Sequence, residues 1–197
     1  GQCVITDLGE ANDIHPKNKR DVAERLARWA LVKDYGLALP YRSPELKESK
    51  FEGGKALLTF DFAPQGLRTI DVDEVKGFAL CGADQKWVWA KAIILGGSKK
   101  GTNQIEVSSP QVPQPVAVRY AWSDNPICNV FSAEGLPVTP FRTDDFPMIT
   151  DPANPNGIEG QAAKRQEEIK ATLKKRQEEL KKAKIQQTKS AKPKKAA

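Results

Sequence analysis

From residue 55 onward the hydrophobic period of this chain is two, and it stays two through a series of short runs until residue 122. Leu58, Phe60 and Phe62 fall on one side of a pleat, with Leu57, Thr59 and Asp61 on the other. Gly77-Phe78-Ala79-Leu80-Cys81 and Lys86-Trp87-Val88-Trp89-Ala90 flank Gly82-Ala83-Asp84-Gln85, the pattern of a hairpin. Ile93-Ile94-Leu95, Ile105-Glu106-Val107 and Val116-Ala117-Val118-Arg119-Tyr120-Ala121-Trp122 follow at short intervals. Short β-branched and aromatic runs separated by turn residues predict an antiparallel β-sandwich of about six to eight strands. Its expected core is Phe60, Phe62, Phe78, Trp89, Val118 and Tyr120.

Before this region the period is that of a helix, expected over about residues 17–35. Asn18 can cap it and Asp21 completes a capping-box-like pair. Val22, Leu26, Trp29 and Val32 share one face, and Gly36 is a suitable C-cap. Such a helix needs a body to pack on, and the residues ahead of it are too few to supply one. The chain starts at Gly1 and its only methionine is Met148. The expectation is therefore a fragment of a longer protein. Residues 37–54, with Pro40, Pro44 and two glycines, read as a connector.

The net charge of +6 is not spread evenly. Residues 158–197 hold eleven Lys, two Arg and five Glu, a net +8, which leaves −2 on residues 1–157. A mildly acidic body argues against a nucleic-acid surface, and the tail lacks the interleaved aromatics of a single-strand binder. Lys164-Arg165-Gln166-Glu167-Glu168-Ile169-Lys170 recurs eleven residues later as Lys175-Arg176-Gln177-Glu178-Glu179-Leu180-Lys181. Eleven residues make three turns nearly in phase, so a solvated basic helix is expected, fraying into disorder over residues 188–197. Contact with a polyanion or a coiled-coil partner is a second reading of that tail. No apolar run approaches the ~20 residues of a membrane span. Cys3, Cys81 and Cys128 are widely spaced, without CxxC and with a single histidine, so neither a metal site nor a cofactor is expected. Three buried free thiols, or one disulfide and one thiol, fit that spacing.

That histidine is His15, in Asp13-Ile14-His15-Pro16 just ahead of the helix. A His before Pro can simply satisfy a local loop. It can also act as a general base, taking a proton from a serine hydroxyl and returning it to the leaving group. Asp13 would then hold the ring in the required tautomer.

The run Asp7-Leu8-Gly9-Glu10-Ala11-Asn12-Asp13-Ile14-His15-Pro16-Lys17-Asn18-Lys19 closely resembles the last sequence block of the sialate O-acetylesterase family, within the SGNH (GDSL-like) hydrolases. The resemblance continues through Arg25-Leu26-Ala27-Arg28-Trp29-Ala30 and Lys76-Gly77-Phe78-Ala79-Leu80-Cys81-Gly82-Ala83-Asp84. It resumes in Val118-Arg119-Tyr120-Ala121-Trp122-Ser123-Asp124-Asn125-Pro126, Gly135-Leu136-Pro137 and Pro140-Phe141-Arg142-Thr143-Asp144-Asp145. It implies an esterase acting on acetylated sugars, with His15 as catalytic base and Asp13 as the acid beside it. Many such hydrolases place Asp three residues before the His, where this chain has Asn12. The family's nucleophile and oxyanion donors would lie upstream of Gly1. Gly96-Gly97-Ser98 only imitates a serine motif, and Ser98 is not nominated.

The expected fold class is an α+β fragment. Residues 1–38 are the loop-plus-helix end of an α/β SGNH domain, 39–54 a linker, and 55–146 an antiparallel β-sandwich-like domain. Residues 147–157 are a second linker and 158–197 the exposed basic helix. Residues 135–146 suit an ordered arm. The alternative function is a non-catalytic carbohydrate-binding sandwich with a polycationic tail. For that reading Trp87, Trp89 and Trp122 are either a sugar-stacking platform or ordinary core. Sugar esterases of this type are often exported, which sets the direction in which the compartment leans.

Overall fold

The computed structural model describes residues 1–96, 101–154 and 156–190, the last helix without its side chains from Leu180 onward. The chain divides into two compact units, Gly1–Asp144 and Asp145–Ala197.

In the first unit, α1 (Lys19–Lys33) is capped by Asn18, whose side-chain oxygen accepts from the Asp21 N–H at 3.1 Å. The packed face of α1 is Val22, Arg25, Trp29 and Val32; Leu26, expected on it, is exposed. The face turns by one residue because Arg25 is anchored. Its guanidinium donates twice to the Asp7 carboxylate at 2.6 and 2.7 Å, and once to the Val4 carbonyl at 2.7 Å. Trp29 meets Tyr41 edge-on at 4.8 Å, which fixes the chain leaving the helix.

Ten strands follow. β1 (Glu45–Glu52), β2 (Lys55–Asp61), β7 (Gln104–Ser108) and β6 (Lys91–Ile94) form one antiparallel sheet in the order β1-β2-β7-β6. β10 (Phe141–Arg142), β8 (Ala117–Tyr120), β4 (Phe78–Cys81) and β5 (Trp87–Trp89) form a second, in the order β10-β8-β4-β5. β3 (Leu67–Thr69) pairs with β9 (Val130–Ser132). One apolar cluster joins the two four-stranded sheets. Ala56, Leu58, Phe60, Ile94, Ile105 and Val107 come from the first, and Phe78, Leu80, Val118, Tyr120 and Phe141 from the second. This is the sheet-rich domain that the period of two predicts, with the expected hairpin at β4–β5.

Three expectations are corrected. Phe62 is not core: it lies past the end of β2 with φ 60°, is 40% exposed, and carries the Arg42 guanidinium 4.1 Å above its ring. Trp89 is 74% exposed, because the outer rather than the inner face of β5 carries it. The stretch read as the 39–54 connector contains β1. Its Glu-Leu-Lys-Glu-Ser-Lys-Phe-Glu has no apolar alternation, and its pairing along β2 with a bulge at Leu46/Glu48 places it at the sheet edge, where charged side chains are suitable.

Residues 129–144 are ordered on the sandwich. Val138 is fully buried, and Asp144 accepts from Arg119 Nε and Nη2 at 2.8 and 2.7 Å. In the second unit, α2 (Ile158–Ser190) is one helix of 33 residues with Ile169 and Leu173 about half exposed. It reaches three residues into the stretch expected to be disordered; residues 191–197 lie outside the described residues. No described helix is long and apolar enough to cross a membrane.

Candidate active-site loop

Residues 7–18 form the loop that carries His15. Its inner end is held by the Asp7–Arg25 pair and its outer end by the Asn18 cap. Between these anchors Asp13 Oδ1 accepts from the His15 backbone N–H at 2.9 Å and contacts His15 Nδ1 at 2.9 Å. An ionised carboxylate can only accept, so Nδ1 carries the proton and Nε2 of the neutral ring presents its lone pair. The backbone and side-chain bonds from His15 hold the Asp13 carboxyl below its ordinary range.

The side chains of His15 and Asp13 are 76% and 52% exposed, and Ile14 between them is 89% exposed. Asp13 and His15, the two residues nominated from the sequence, are thus in contact on an exposed loop. Asn12 is exposed and has no hydrogen bond to the ring among the described residues. No described serine is hydrogen-bonded to His15, and Ser98 lies outside the described residues. A cleft of about 670 Å³ runs beside β6 past Asp73 and Glu74, and contains no residue of this loop. No three described His, Cys, Asp or Glu side chains converge as metal ligands. All three cysteines are free thiols, with burial pushing those of Cys81 and Cys128 up.

Sequence reasoning missed two polar anchors of the first unit, one at the His15 loop and one at residues 70–76. Asp7 and Arg25 are eighteen positions apart, and only the path of the loop brings them together. Asn129 is 6% exposed; its Oδ1 accepts from the Lys76 N–H at 2.8 Å, and its amide donates to the Glu74 carbonyl at 2.8 Å and to Ile70 and Val72 at 3.3 Å. A lone Asn in a Pro- and Asp-rich stretch carries no signal of that role.

No protein-family model matches the chain, and no curated protein matches it. Among solved structures it is similar to the crystal structure of a carbohydrate acetylesterase from Xanthomonas citri, with 45% identity and a TM-score of 0.69 over 74% of this chain. The match takes in 33% of that chain, so in sequence and fold this protein is similar to about a third of a carbohydrate acetylesterase.

Proposed function

We propose that this chain is the His/Asp-bearing part of a carbohydrate O-acetylesterase, of the sialate O-acetylesterase type within the SGNH hydrolases. The observation that carries the reading is the Asp13–His15 contact at 2.9 Å on an exposed loop, in a chain 45% identical over 74% of its length to part of a carbohydrate acetylesterase. In the proposed reaction a serine hydroxyl attacks the acetyl carbonyl while His15 Nε2 takes its proton. The imidazolium, stabilised by Asp13, returns that proton to the departing sugar oxygen. Water then attacks the acetyl-enzyme with His15 again as base, releasing acetate and freeing the serine. The serine and the oxyanion donors belong to polypeptide outside residues 1–197.

Two measurements test this. The purified chain should show no His15-dependent hydrolysis of p-nitrophenyl acetate; enzyme-like turnover abolished by His15→Ala would sink the division of the site. In the protein carrying the serine, His15→Ala should lower kcat by about 10²–10⁴-fold with little change in KM. Retention of full activity by that variant would remove His15 from the mechanism.

A further inference from the structure

Strand β5 places Trp87 and Trp89 on the outer face of the second sheet, and the register of that sheet supplies a row beside them. Trp89 stands opposite Ala79, Ala79 opposite Arg119, and Arg119 opposite Arg142. Ala79 is the small floor of this row, and Trp122 rises at its end. The result is a cleft of about 370 Å³ lined by Trp87, Trp89, Trp122, Arg119, Ala79 and Ser123. That volume lies within the usual range of small-ligand sites.

The walls are held in place. Arg119 makes its paired contact to Asp144, which is 9% exposed, and lies 4.1 Å over the Trp87 ring. Arg142 reaches the same carboxylate at 3.4 Å and lies 5.9 Å from the Trp122 ring. Trp122 is turned outward by Ala121, a buried residue at φ 51° whose N–H donates to the Gly77 carbonyl at 2.9 Å. A left-handed non-glycine residue is strained and persists only where its surroundings enforce it. Trp89 and Trp122 nevertheless remain 74% and 42% exposed. Rigid indoles with open faces, bordered by fixed guanidinium groups, suit a ligand with one apolar face and a polar rim.

We propose that this cleft is a carbohydrate-binding subsite, separate from the His15 loop, that stacks the apolar face of a pyranose ring on Trp89 and Trp122. The ring C–H groups meet the negative faces of the indoles, and the hydroxyl rim meets Arg119 and Ser123. Because the walls are preorganised, little side-chain freedom is lost on binding. The choice of a sugar as occupant rests on the acetylesterase reading; the binding itself does not depend on hydrolysis.

The test is titration of the full chain with cellohexaose, followed by tryptophan fluorescence. The expected result is saturable quenching at about millimolar sugar, weakened about tenfold by Trp89→Ala and by Trp122→Ala. Both variants should keep the parent's denaturation midpoint, and His15→Ala should bind as the parent does. No saturable response would overturn the subsite, as would binding unchanged in both Trp variants. Sedimentation showing self-association abolished by Trp89→Ala would assign the face to a second copy instead. Any of these would leave the assignment of His15 standing.

Discussion

At the scale of single residues, two carboxylates decide how the His15 loop is held, by different physics. Asp7 is nearly buried against Arg25, and removing one partner of such a pair strands the other charge. Asp7→Asn should therefore cost about 3 kcal/mol, read by urea denaturation, and Asp7→Asn with Arg25→Met should recover part of it. A loss below about 0.5 kcal/mol would mean that the pair does not anchor the loop. Asp13 is about half exposed and at the surface, so its contribution is to orientation rather than stability. Its folded value is lowered, so the ionised contact to His15 is fully present above the ordinary 3.8 and is lost only as pH falls through the lowered value. An NMR titration of the Asp13 carboxyl carbon should accordingly find a midpoint below 3.8. A midpoint at or above that value would mean that the carboxylate does not hold the imidazole in solution. Asp13 was legible in the sequence because its partner is two residues away; Asp7 was not, because its partner is a helical turn deep in another element.

At the scale of elements, the period of two located β2, β4, β5, β6, β7 and β8, missed the short β3, β9 and β10, and placed strand ends poorly. Phe60 and Phe62 have the same parity, yet one is fully buried and the other turns out at φ 60°. The pattern of side chains does not record where the backbone leaves the pleat. β1 was hidden for the opposite reason: an edge strand is held by backbone bonding and needs no apolar alternation. Loop closure leaves a sharper trace. Gly66 sits at φ 91°, and a Cβ there would come within 2.5 Å of the Gly101 backbone. Backbone cannot rotate away as a side chain can, so Gly66→Ala should cost at least about 3 kcal/mol, seen as a fall in denaturation midpoint. The Asn129 hub argues similarly. Asn129→Leu would leave the Lys76 N–H and the Glu74 carbonyl without that partner, costing about 2–4 kcal/mol and raising amide exchange over residues 70–76. Unchanged exchange in that segment would show that other groups hold it.

At the scale of the whole molecule, charge and core are segregated along the chain. Residues 1–157 carry −2 while the last forty residues carry +8, and the large apolar cluster lies entirely in Gly1–Asp144. The composition change at residue 158 was visible in the sequence because a run rich in Lys, Gln and Glu cannot form a core. The helix it forms, α2, has its described apolar residues Ile169 and Leu173 about half exposed. Its stability then comes from intrinsic propensity and from i,i+4 charge pairs, each contributing a few tenths of a kcal/mol. A helix stabilised in that way frays gradually, whereas the packed sheets of the first unit melt cooperatively. Heating the full chain should give a broad, early loss of the 222 nm circular-dichroism signal, followed by one sharp transition reported by tryptophan fluorescence. A chain ending at Asn156 should lose the broad phase and keep the sharp midpoint within about 2 °C. A midpoint lowered by more than about 5 °C would show that α2 shares the cooperative unit of the sheets, and that the stability of this molecule is not divided as its charge is.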